Sequence, residues 1–289
     1  MSLEASEFIL NADGSIYHLN LKPEQLADTV ITVGDPDRVS QVTKHFDSVE
    51  FQTQKREFHT QTGYFKRKRI SVISTGIGTD NIDIVFNELD ALVNIDFATK
   101  SIKNKLQSLQ IIRIGTTGSI QKQIPIDSFL MSSKAIGLDN LLHFYKCEDY
   151  LDKTLANAFI KHMNWAEAKS APYVVNSSEL LQEKLDSEEI FKGITATNSG
   201  FYGPQGRSLR LPLPDPKMND KLATFEYNDQ KVTNLEMETS GIYGMSKLLG
   251  HDALSMNLVV ANRANGTFSK NADKKMDELI EFCLNKLTS

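Results

Sequence analysis

Short apolar runs alternate along this chain with segments whose apolar residues recur every three or four positions. The runs predict buried strands at 28–33, 70–74, 111–114, 127–134, 191–198 and 255–261. The periodic segments predict helices that begin near 79, span 150–163 and 178–192, end near 250, and span about 271–287. A chain in which strands alternate with helices favours an α/β fold around a parallel or mixed sheet.

The segment 49–75 departs from this alternation and predicts antiparallel strands at 49–51, 57–59 and 70–74. Its basic run 66–69 is interpreted as a solvated hairpin tip. The helix that follows is predicted to be capped by Thr79 or Asp80. Its apolar residues fall on one face, which predicts that this face is buried: Ile82, Val85, Phe86, Leu89, Leu92 and Val93.

Three of the predicted strands, ending near residues 33, 75 and 114, lead into glycine-containing segments. Gly34 precedes an Asp-Pro helix start, and segments 74–78 and 115–119 are predicted to be small-residue turns. Glycine lets a ligand approach the backbone closely, and ligands of α/β proteins usually bind at the ends of the strands. The sequence therefore predicts one functional edge of the sheet.

Two arginines near these turns each allow two interpretations. Arg113 interrupts the apolar run 111–114, so it forms either an internal ion pair with a carboxylate or an oxyanion site with nearby hydroxyl and glycine N–H groups. Arg38 lies one turn into the helix after Gly34. It is either a surface side chain or a second arginine that faces the same anion.

Polar candidates also occur further along the chain. Segment 199–207 combines aromatic residues and glycines with Gln205 and Arg207, which are either solvated or bind a ligand. The polar, proline-rich segment 208–230 predicts a long loop or lid. The acidic pair at 236 and 238, which flanks Met237, is either a plain acidic helix start or a source of carboxylates for sugar hydroxyls.

Composition narrows the classes of function. With 289 residues, 40% of them apolar, the chain can bury one large α/β domain or two smaller ones. Its 32 basic and 37 acidic residues give a net charge of −5, which argues against a nucleic-acid or anionic-membrane binder. Cys147 and Cys283 are expected to be reduced thiols of a cytoplasmic protein. Neither a signal peptide nor a membrane span is predicted.

Eight short motifs occur in one order along almost the whole chain. They are His18 in Y-H-L-N-L, G-D-P-D-R-V at 34–39, R-E-F at 56–58, S-T-G-I-G at 74–78, R-I-G-T-T-G at 113–118, F-Y-G-P-Q-G-R at 201–207, E-M-E at 236–238, and Asn262-Arg263. In this order they resemble the nucleoside phosphorylase-I family, in particular its uridine-cleaving members.

The resemblance implies a single-domain three-layer α/β/α sandwich around a mixed, partly barrel-like central sheet. The domain would span 1–289, with an N-terminal arm at 1–20 and a mobile active-site loop at 203–232. It also implies reversible phosphorolysis, in which inorganic phosphate attacks C1′ of the ribose and the base departs from an oxocarbenium-like transition state. No cofactor is expected, and inorganic phosphate is the expected co-substrate.

Residue roles follow from the same resemblance. The expected phosphate ligands are Gly34, Arg38, Arg113 and Thr116, joined by Arg56 from a neighbouring subunit. The expected ribose ligands are Thr116, Met237 and Glu238, joined by His18 from that neighbour at the 5′-hydroxyl.

The expected base ligands are Phe201, Gln205, Arg207 and Arg263. The Gln205 amide can donate to O2 of uracil and accept from N3–H, while Arg207 can donate to O4 and stabilise the departing base. Arg263 stands where purine-cleaving relatives tend to carry an aspartate, and arginine cannot protonate a purine. Uridine is therefore the expected substrate, with Arg113, Glu238, Arg207 and Gln205 as the catalytic residues.

Further expectations concern ions and assembly. Bacterial members form a potassium site between subunits from a glutamate, an isoleucine carbonyl and a serine; Glu57 and Ile77 match, and Asn81 replaces the serine. The expected partners are a nucleoside, phosphate and further copies of the chain. The alternatives are a purine or broad-specificity phosphorylase, a nucleosidase of the same fold, and a non-catalytic nucleoside-binding protein. Arg113→Ala is expected to abolish phosphorolysis and leave the fold largely intact.

Overall fold

The structure is a computed structural model that describes residues 2–289. Within these residues the helices are α1 (Pro36–Thr43), α2 (Thr79–Asn94), α3 (Lys153–Met163), α4 (Glu179–Leu185), α5 (Met218–Thr224), α6 (Thr239–Leu249) and α7 (Ala272–Thr288). The strands are β1 (Thr29–Val33), β2 (Ser48–Lys55), β3 (Phe58–Phe65), β4 (Lys68–Ser74), β5 (Ile95–Asp96), β6 (Ser101–Ile102), β7 (Gln110–Ser119), β8 (Phe129–Gly137), β9 (Tyr173–Asn176), β10 (Phe191–Thr197), β11 (Glu226–Tyr227), β12 (Gln230–Glu236), β13 (Asp252–Asn262) and β14 (Thr267–Phe268).

One mixed sheet contains twelve of these strands, in the order β11-β12-β10-β8-β13-β7-β1-β4-β3-β2 with β14 and β9 as side branches. Strand β1 lies parallel to both β4 and β7, so the ends of these three strands meet at one edge. Strand β12 also pairs antiparallel with β7 through Leu235 and Gly118. This pairing closes β12, β10, β8, β13 and β7 into a partial barrel, which confirms the expected mixed, partly barrel-like sheet.

Helices cover both faces of the sheet and form the outer layers. Helices α1, α4 and α7 pack on one buried apolar cluster that includes Ile31 and Val72. Helices α2 and α6 pack on another that includes Val30 and Ile73. Neighbouring residues of one strand therefore enter different clusters. Strands buried on both faces are apolar at most positions, which is why they read as nearly continuous apolar runs.

Helix α2 follows the predicted pattern, with one correction at its start. The six residues of its predicted apolar face are all buried. The residue at the N-terminal cap position is Gly78, whereas Thr79 is already helical, so the prediction of Thr79 or Asp80 as the cap was wrong. Gly78 has φ +94°, a conformation that L residues with a side chain rarely adopt.

Three other sequence predictions were wrong. Segment 115–119 is not a turn: β7 continues through it, because β13 pairs with β7 from Gln110 to Ser119. The helix predicted at 178–192 ends at Leu185, as α4. The segment 208–230, predicted to be a loop or lid, contains helix α5 and strand β11.

The N-terminal arm packs apolar side chains into the core, although its composition is largely polar. Phe8, Ile16, Leu19 and Leu21 are buried in the cluster that contains the inner face of α2. The basic run 66–69 does form the β3–β4 hairpin tip, where Lys66 and Arg67 have positive φ angles. Among residues 2–289, no helix has the length and apolar character that crossing a bilayer requires.

Candidate functional site

A cavity of about 740 Å³ opens at the edge where β1, β4, β7 and β12 end. Most of the residues singled out in the sequence line it: Gly34, Arg38, Glu57, Ile77, Asn81, Arg113, Thr116, Phe201, Gln205, Arg207, Met237 and Glu238. Three others, His18, Arg56 and Arg263, are not among the described residues that line it. The edge of the sheet that the sequence singled out therefore contains a cavity that gathers residues from distant parts of the chain.

Arg113 forms the internal ion pair that one interpretation of its sequence position predicted. Its Nη2 lies 2.7 Å from Oε2 of Glu238 and 3.4 Å from Oε2 of Glu236, and its Nη1 donates to Oδ1 of Asn257 at 2.7 Å. The residue is only 6% exposed, yet it lines the cavity. Arg113 is thus part of an internal ion pair and also contributes to the wall of the cavity.

The glycine two positions after Arg113 makes room for the guanidinium. Residues i and i+2 of a strand point to the same face. A Cβ placed on Gly115 would lie 2.0 Å from Nη1 of Arg113, so a side chain there would displace the guanidinium. Gly115 is therefore needed for the orientation of Arg113 and not for a turn.

The two glutamates at the junction of β12 and α6 have different tasks. One Glu236 oxygen accepts from the Thr197 hydroxyl at 2.6 Å, and the other accepts from the N–H groups of Glu238 and Thr239 at 2.9 Å, which caps α6. Glu238 accepts from Gly78 N–H at 2.8 Å and from Arg113. Glu236 is therefore the acidic residue that caps the start of α6, whereas Glu238 faces the cavity.

Burial and the charges of three neighbouring side chains set the pKa values at this end of the cavity. Burial raises the pKa of Glu238, and the negative charge of Glu236 raises it further against the opposing effect of Arg113. Burial alone would lower the pKa of Arg113, but the two carboxylates outweigh burial and raise it. One guanidinium therefore stays charged beside two carboxyl groups that compete for it.

Arg38 lies near Arg113, and the negative charges of Asp35, Asp273 and Glu238 offset the effects of burial and of Arg113 only in part. Burial, followed by the positive charge of Arg113, lowers the pKa of Arg38. Within residues 2–289 its buried Nε has no hydrogen-bond partner. An arginine donor left unpaired beside a second arginine favours the interpretation that Arg38 faces an anion.

The loop after β10 forms a second group of side chains. Nη1 of Arg207 donates to the Phe201 carbonyl at 2.7 Å and to Oε1 of Gln205 at 2.5 Å, and the guanidinium carbon lies 3.8 Å from the centroid of the Phe201 ring. Burial and the charge of Arg263 lower the pKa of Arg207 to about 10. Arg263 donates to the carbonyls of Gln205 and Gly206 at 2.9 and 3.2 Å, so it supports the loop from outside the cavity.

Sequence reasoning missed a polar chain inside the partial barrel. Hydrogen bonds of 2.5–3.1 Å join each residue of this chain to the next. In order, the residues are Arg113, Asn257, Ser132, Thr195, Asn234 and Thr117. Both end residues line the cavity. Like Arg113, these polar residues interrupt strands that are otherwise apolar. This pattern in the sequence could have revealed them.

His18 and Arg56 both lie outside the cavity, near the β2–β3 hairpin. The His18 ring is 6.3 Å from the ring of Phe58, at the start of β3. Arg56 is exposed in the β2–β3 turn just before it, with φ +55°. Two residues that the resemblance assigned to a neighbouring subunit's site therefore do not line the cavity of their own subunit.

The predicted potassium ligands are close to one another. A Cβ placed on Gly76 would lie 2.4 Å from Nδ2 of Asn81 and 3.0 Å from Cγ of Glu57, so both side chains pack around that glycine. Together with the carbonyl of Ile77, they offer a carboxylate, an amide oxygen and a backbone oxygen. Such oxygen donors suit hard cations, so these residues fit the ion by ligand type.

Comparison with known proteins establishes the family. Residues 28–287 match the model of the phosphorylase superfamily. A uridine phosphorylase from Thermococcus kodakarensis is 29% identical over 91% of this chain and 83% of its own length. A DeoD-type purine nucleoside phosphorylase from Caldanaerobacter subterraneus is 26% identical over 92% and 97%. A Trypanosoma brucei nucleoside phosphorylase described as showing uridine phosphorylase activity superposes with a TM-score of 0.88, at 30% identity over 97% of this chain and 99% of its own.

The chain belongs to the phosphorylase superfamily and is a nucleoside phosphorylase, an enzyme of the pentosyltransferase class. Its substrates are accordingly a nucleoside and inorganic phosphate, as the sequence resemblance implied.

Proposed function

We propose that this enzyme is a uridine phosphorylase that converts uridine and phosphate reversibly to uracil and ribose 1-phosphate. One observation carries the proposal: a single cavity contains the Arg38, Arg113 and Glu238 group and also the Phe201, Gln205 and Arg207 group. The first group suits an anion beside a sugar, and the second suits the edge of a uracil ring.

The spacing of the two groups supports this assignment. A Cβ placed on Gly118 would lie 4.0 Å from Nη2 of Arg207, and Arg113 lies five positions earlier on the same strand. At a rise of about 3.3 Å per residue this part of β7 spans roughly 16 Å. That length accommodates a phosphate at one end and a nucleobase at the other, with the ribose between them.

In the proposed reaction, Arg38, Arg113, Thr116 and the Gly34 N–H hold phosphate below C1′ of the ribose. The fixed fork of each guanidinium matches the phosphate oxygens, and positioning the dianion supplies most of the attack geometry. Glu238 accepts hydrogen bonds from the ribose hydroxyls beside Met237. Its negative charge also stabilises the oxocarbenium-like transition state.

At the other end of the cavity, Phe201 packs on the base and Gln205 with Arg207 binds its edge. The oxygen of the Gln205 amide already accepts from Arg207, and a carbonyl oxygen has a second lone pair for N3–H of uracil. Arg207 then donates to O4, where negative charge develops as the base leaves. We assign Arg263 to the same subsite through the carbonyls of Gln205 and Gly206, which it holds from outside the cavity.

The test is to incubate the enzyme with uridine in the presence and absence of phosphate and to measure uracil and ribose 1-phosphate. Uracil should appear only with phosphate and in equal amount to ribose 1-phosphate. Release without phosphate would identify a nucleosidase, and no release would contradict the proposal. Inosine is the second substrate to test because purine nucleoside phosphorylases match the chain at similar coverage. A faster reaction with inosine would assign the purine activity instead.

We further propose that the active site is shared between subunits, since His18 and Arg56 are accessible to solvent and line no part of the cavity in their own subunit. A mixture of Glu238→Gln and Arg56→Ala chains tests this, because each variant keeps what the other lacks. In a symmetric dimer, mixed pairs contain one intact site, so subunit exchange should restore about a quarter of wild-type activity. A mixture no more active than its components would contradict sharing.

The remaining proposals concern organisation. We propose that residues 1–289 form one domain with an active-site loop at 203–232, supported by the continuous sheet and by the family match over 28–287.

A cytoplasmic location is supported by two buried free cysteines. A potassium ion at Glu57, Ile77 and Asn81 would serve assembly only, and no reaction step depends on it.

A further inference from the structure

A buried carboxylate that the proposed reaction does not use fixes the N-terminal arm. Oε1 of Glu88, on α2, lies 2.7 Å from Nδ1 of His18. The same carboxylate accepts from the backbone N–H of His18 at 2.9 Å and from that of Leu19 at 2.7 Å. Three donors from two consecutive residues of the arm thus converge on one side chain.

The position of Glu88 on its helix makes this arrangement specific. Glu88 is 9% exposed and lies between Val85, Leu89 and Leu92 on a face that is otherwise apolar. A carboxylate on the buried face of a helix costs free energy unless its oxygens are hydrogen-bonded. The bonds to the arm supply that compensation, so the arm and Glu88 depend on each other.

The contact also determines which ring nitrogen of His18 carries hydrogen. A carboxylate can only accept, so Nδ1 must donate to Glu88. When the imidazole is neutral, Nε2 then has a free lone pair. The side chain remains 25% exposed, which leaves the far side of the ring accessible from outside the subunit.

We propose that Glu88 is a positioning residue for the reaction. It holds His18 in the Nδ1–H tautomer, so that Nε2 accepts a hydrogen bond from the 5′-hydroxyl of a nucleoside bound in a neighbouring subunit. This inference rests on the proposed function and on the shared active site. Glu88 is then a second carboxylate, beside that of Glu238, that contributes to ribose recognition. It acts through His18 and does not contact the ribose.

The variant Glu88→Gln tests the proposal. An amide of the same shape can still accept from the backbone N–H groups, but its NH2 group then faces Nδ1 and favours the Nε2–H tautomer. We expect kcat/KM for uridine to fall by about threefold to tenfold, the effect of one hydrogen bond. For 5′-deoxyuridine, which lacks the hydroxyl, kcat/KM should change less than about twofold.

Two further measurements separate positioning from general loosening of the arm. The 15N chemical shifts of the His18 ring should report Nδ1–H in the wild type and Nε2–H in Glu88→Gln. Lys55→Met is the matched control because Lys55 binds the carbonyl of Tyr17 and Oδ1 of Asn11 without touching the His18 ring. It should leave the tautomer and the ratio of the two substrates unchanged. In a His18→Ala background, Glu88→Gln should have no additional effect on that ratio.

The outcomes distinguish this inference from the proposed function. If the wild type cleaves uridine but Glu88→Gln slows both substrates equally, or keeps the Nδ1–H tautomer, the positioning role is wrong and the proposed function stands. If the wild type cleaves neither substrate in the presence of phosphate, the proposed function fails and this role fails with it.

Discussion

The two arginines that mark the ends of the cavity are held in different ways. Arg113 lies on the central strand β7 and contacts residues of β13 and of the β12–α6 junction, all distant in sequence. Arg207 lies in a loop, and within residues 2–289 its side-chain hydrogen bonds go to Phe201 and Gln205, six and two positions away. One end of the site is therefore built by long-range strand pairing, and the other by a local loop with support from Arg263.

This difference suggests a division of tasks. The group around Arg113 cannot change without disturbing the barrel, because the polar chain through Asn257, Ser132, Thr195 and Asn234 connects it to four other strands. The loop around Arg207 can change with little effect on the sheet. A family that keeps one reaction and varies its base would be expected to vary such a loop.

The largest expected effect comes from Arg113→Ala. Loss of the phosphate ligand should lower kcat/KM by about a thousandfold or more. The structure also argues against our expectation from the sequence that the fold would be largely unaffected. Removing one partner of a buried ion pair leaves Glu236 and Glu238 uncompensated, and such losses cost about 3–5 kcal/mol. Kinetics and urea unfolding measure the two effects separately.

A double variant separates catalysis from stability in that experiment. Arg113→Met with Glu238→Gln removes the cation and one carboxylate together, so it should recover part of the free energy of unfolding and remain inactive. If Arg113→Ala were as stable as the wild type, the long-range contacts of Arg113 would not stabilise the fold. The contrast with the local contacts of Arg207 would then be wrong.

The next largest effect is expected for Glu238→Gln alone. Hydrogen bonds to a charged acceptor are worth about 1.5–3 kcal/mol, so kcat/KM for uridine should fall by roughly 10- to 150-fold. An equal loss for 2′,3′-dideoxyuridine, which lacks both ring hydroxyls, would argue against ribose binding by Glu238.

The pH dependence of the reaction provides a separate check on Glu238. The ribose contact requires the carboxylate, so kcat/KM should fall as pH is lowered through the pKa of this group. Because burial raises that pKa, the fall should begin at a higher pH than an ordinary glutamate would give. The acid-side fall should disappear in Glu238→Gln, and its persistence there would assign it to another group.

A smaller and more selective effect is expected for Arg207→Ala. Its contacts lie within one loop, so the free energy of unfolding should change by less than about 0.5 kcal/mol. The kcat/KM for uridine should fall by roughly tenfold to a hundredfold, as Arg207 no longer stabilises the departing base. The fall should be smaller for 5-fluorouridine, whose base is the better leaving group. Equal losses for both substrates would place Arg207 outside the base subsite.

The smallest effect is expected for Phe201→Ala. Phe201 is 51% exposed, and its ring stacks on Arg207 rather than on the core. We expect the KM for uridine to rise about threefold to tenfold with little change in kcat, since aromatic stacking is worth about 0.5–1.5 kcal/mol. A loss of kcat without a change in KM would show that the ring acts on the departing base instead.

The sequence by itself determined much of this protein because its signals are local. Apolar runs identify strands that are buried on both faces, the face of α2 follows from its period, and Asp35-Pro36 begins α1 as predicted. The motifs that surround Arg38, Arg113, Gln205 and Glu238 pointed to the family from their order alone. Composition likewise argued against a nucleic-acid or membrane binder without any knowledge of the fold.

Only the tertiary structure decided what joins these segments. Small residues at 115–119 suit a turn in isolation, yet two partner strands hold them in β7. The tasks of Glu236 and Glu238, identical residues two positions apart, differ because one side chain meets the start of α6 and the other meets Arg113. The contact of Glu88 with His18 joins residues 70 positions apart. Strand pairing and burial select such contacts, and a local pattern of residues does not contain them.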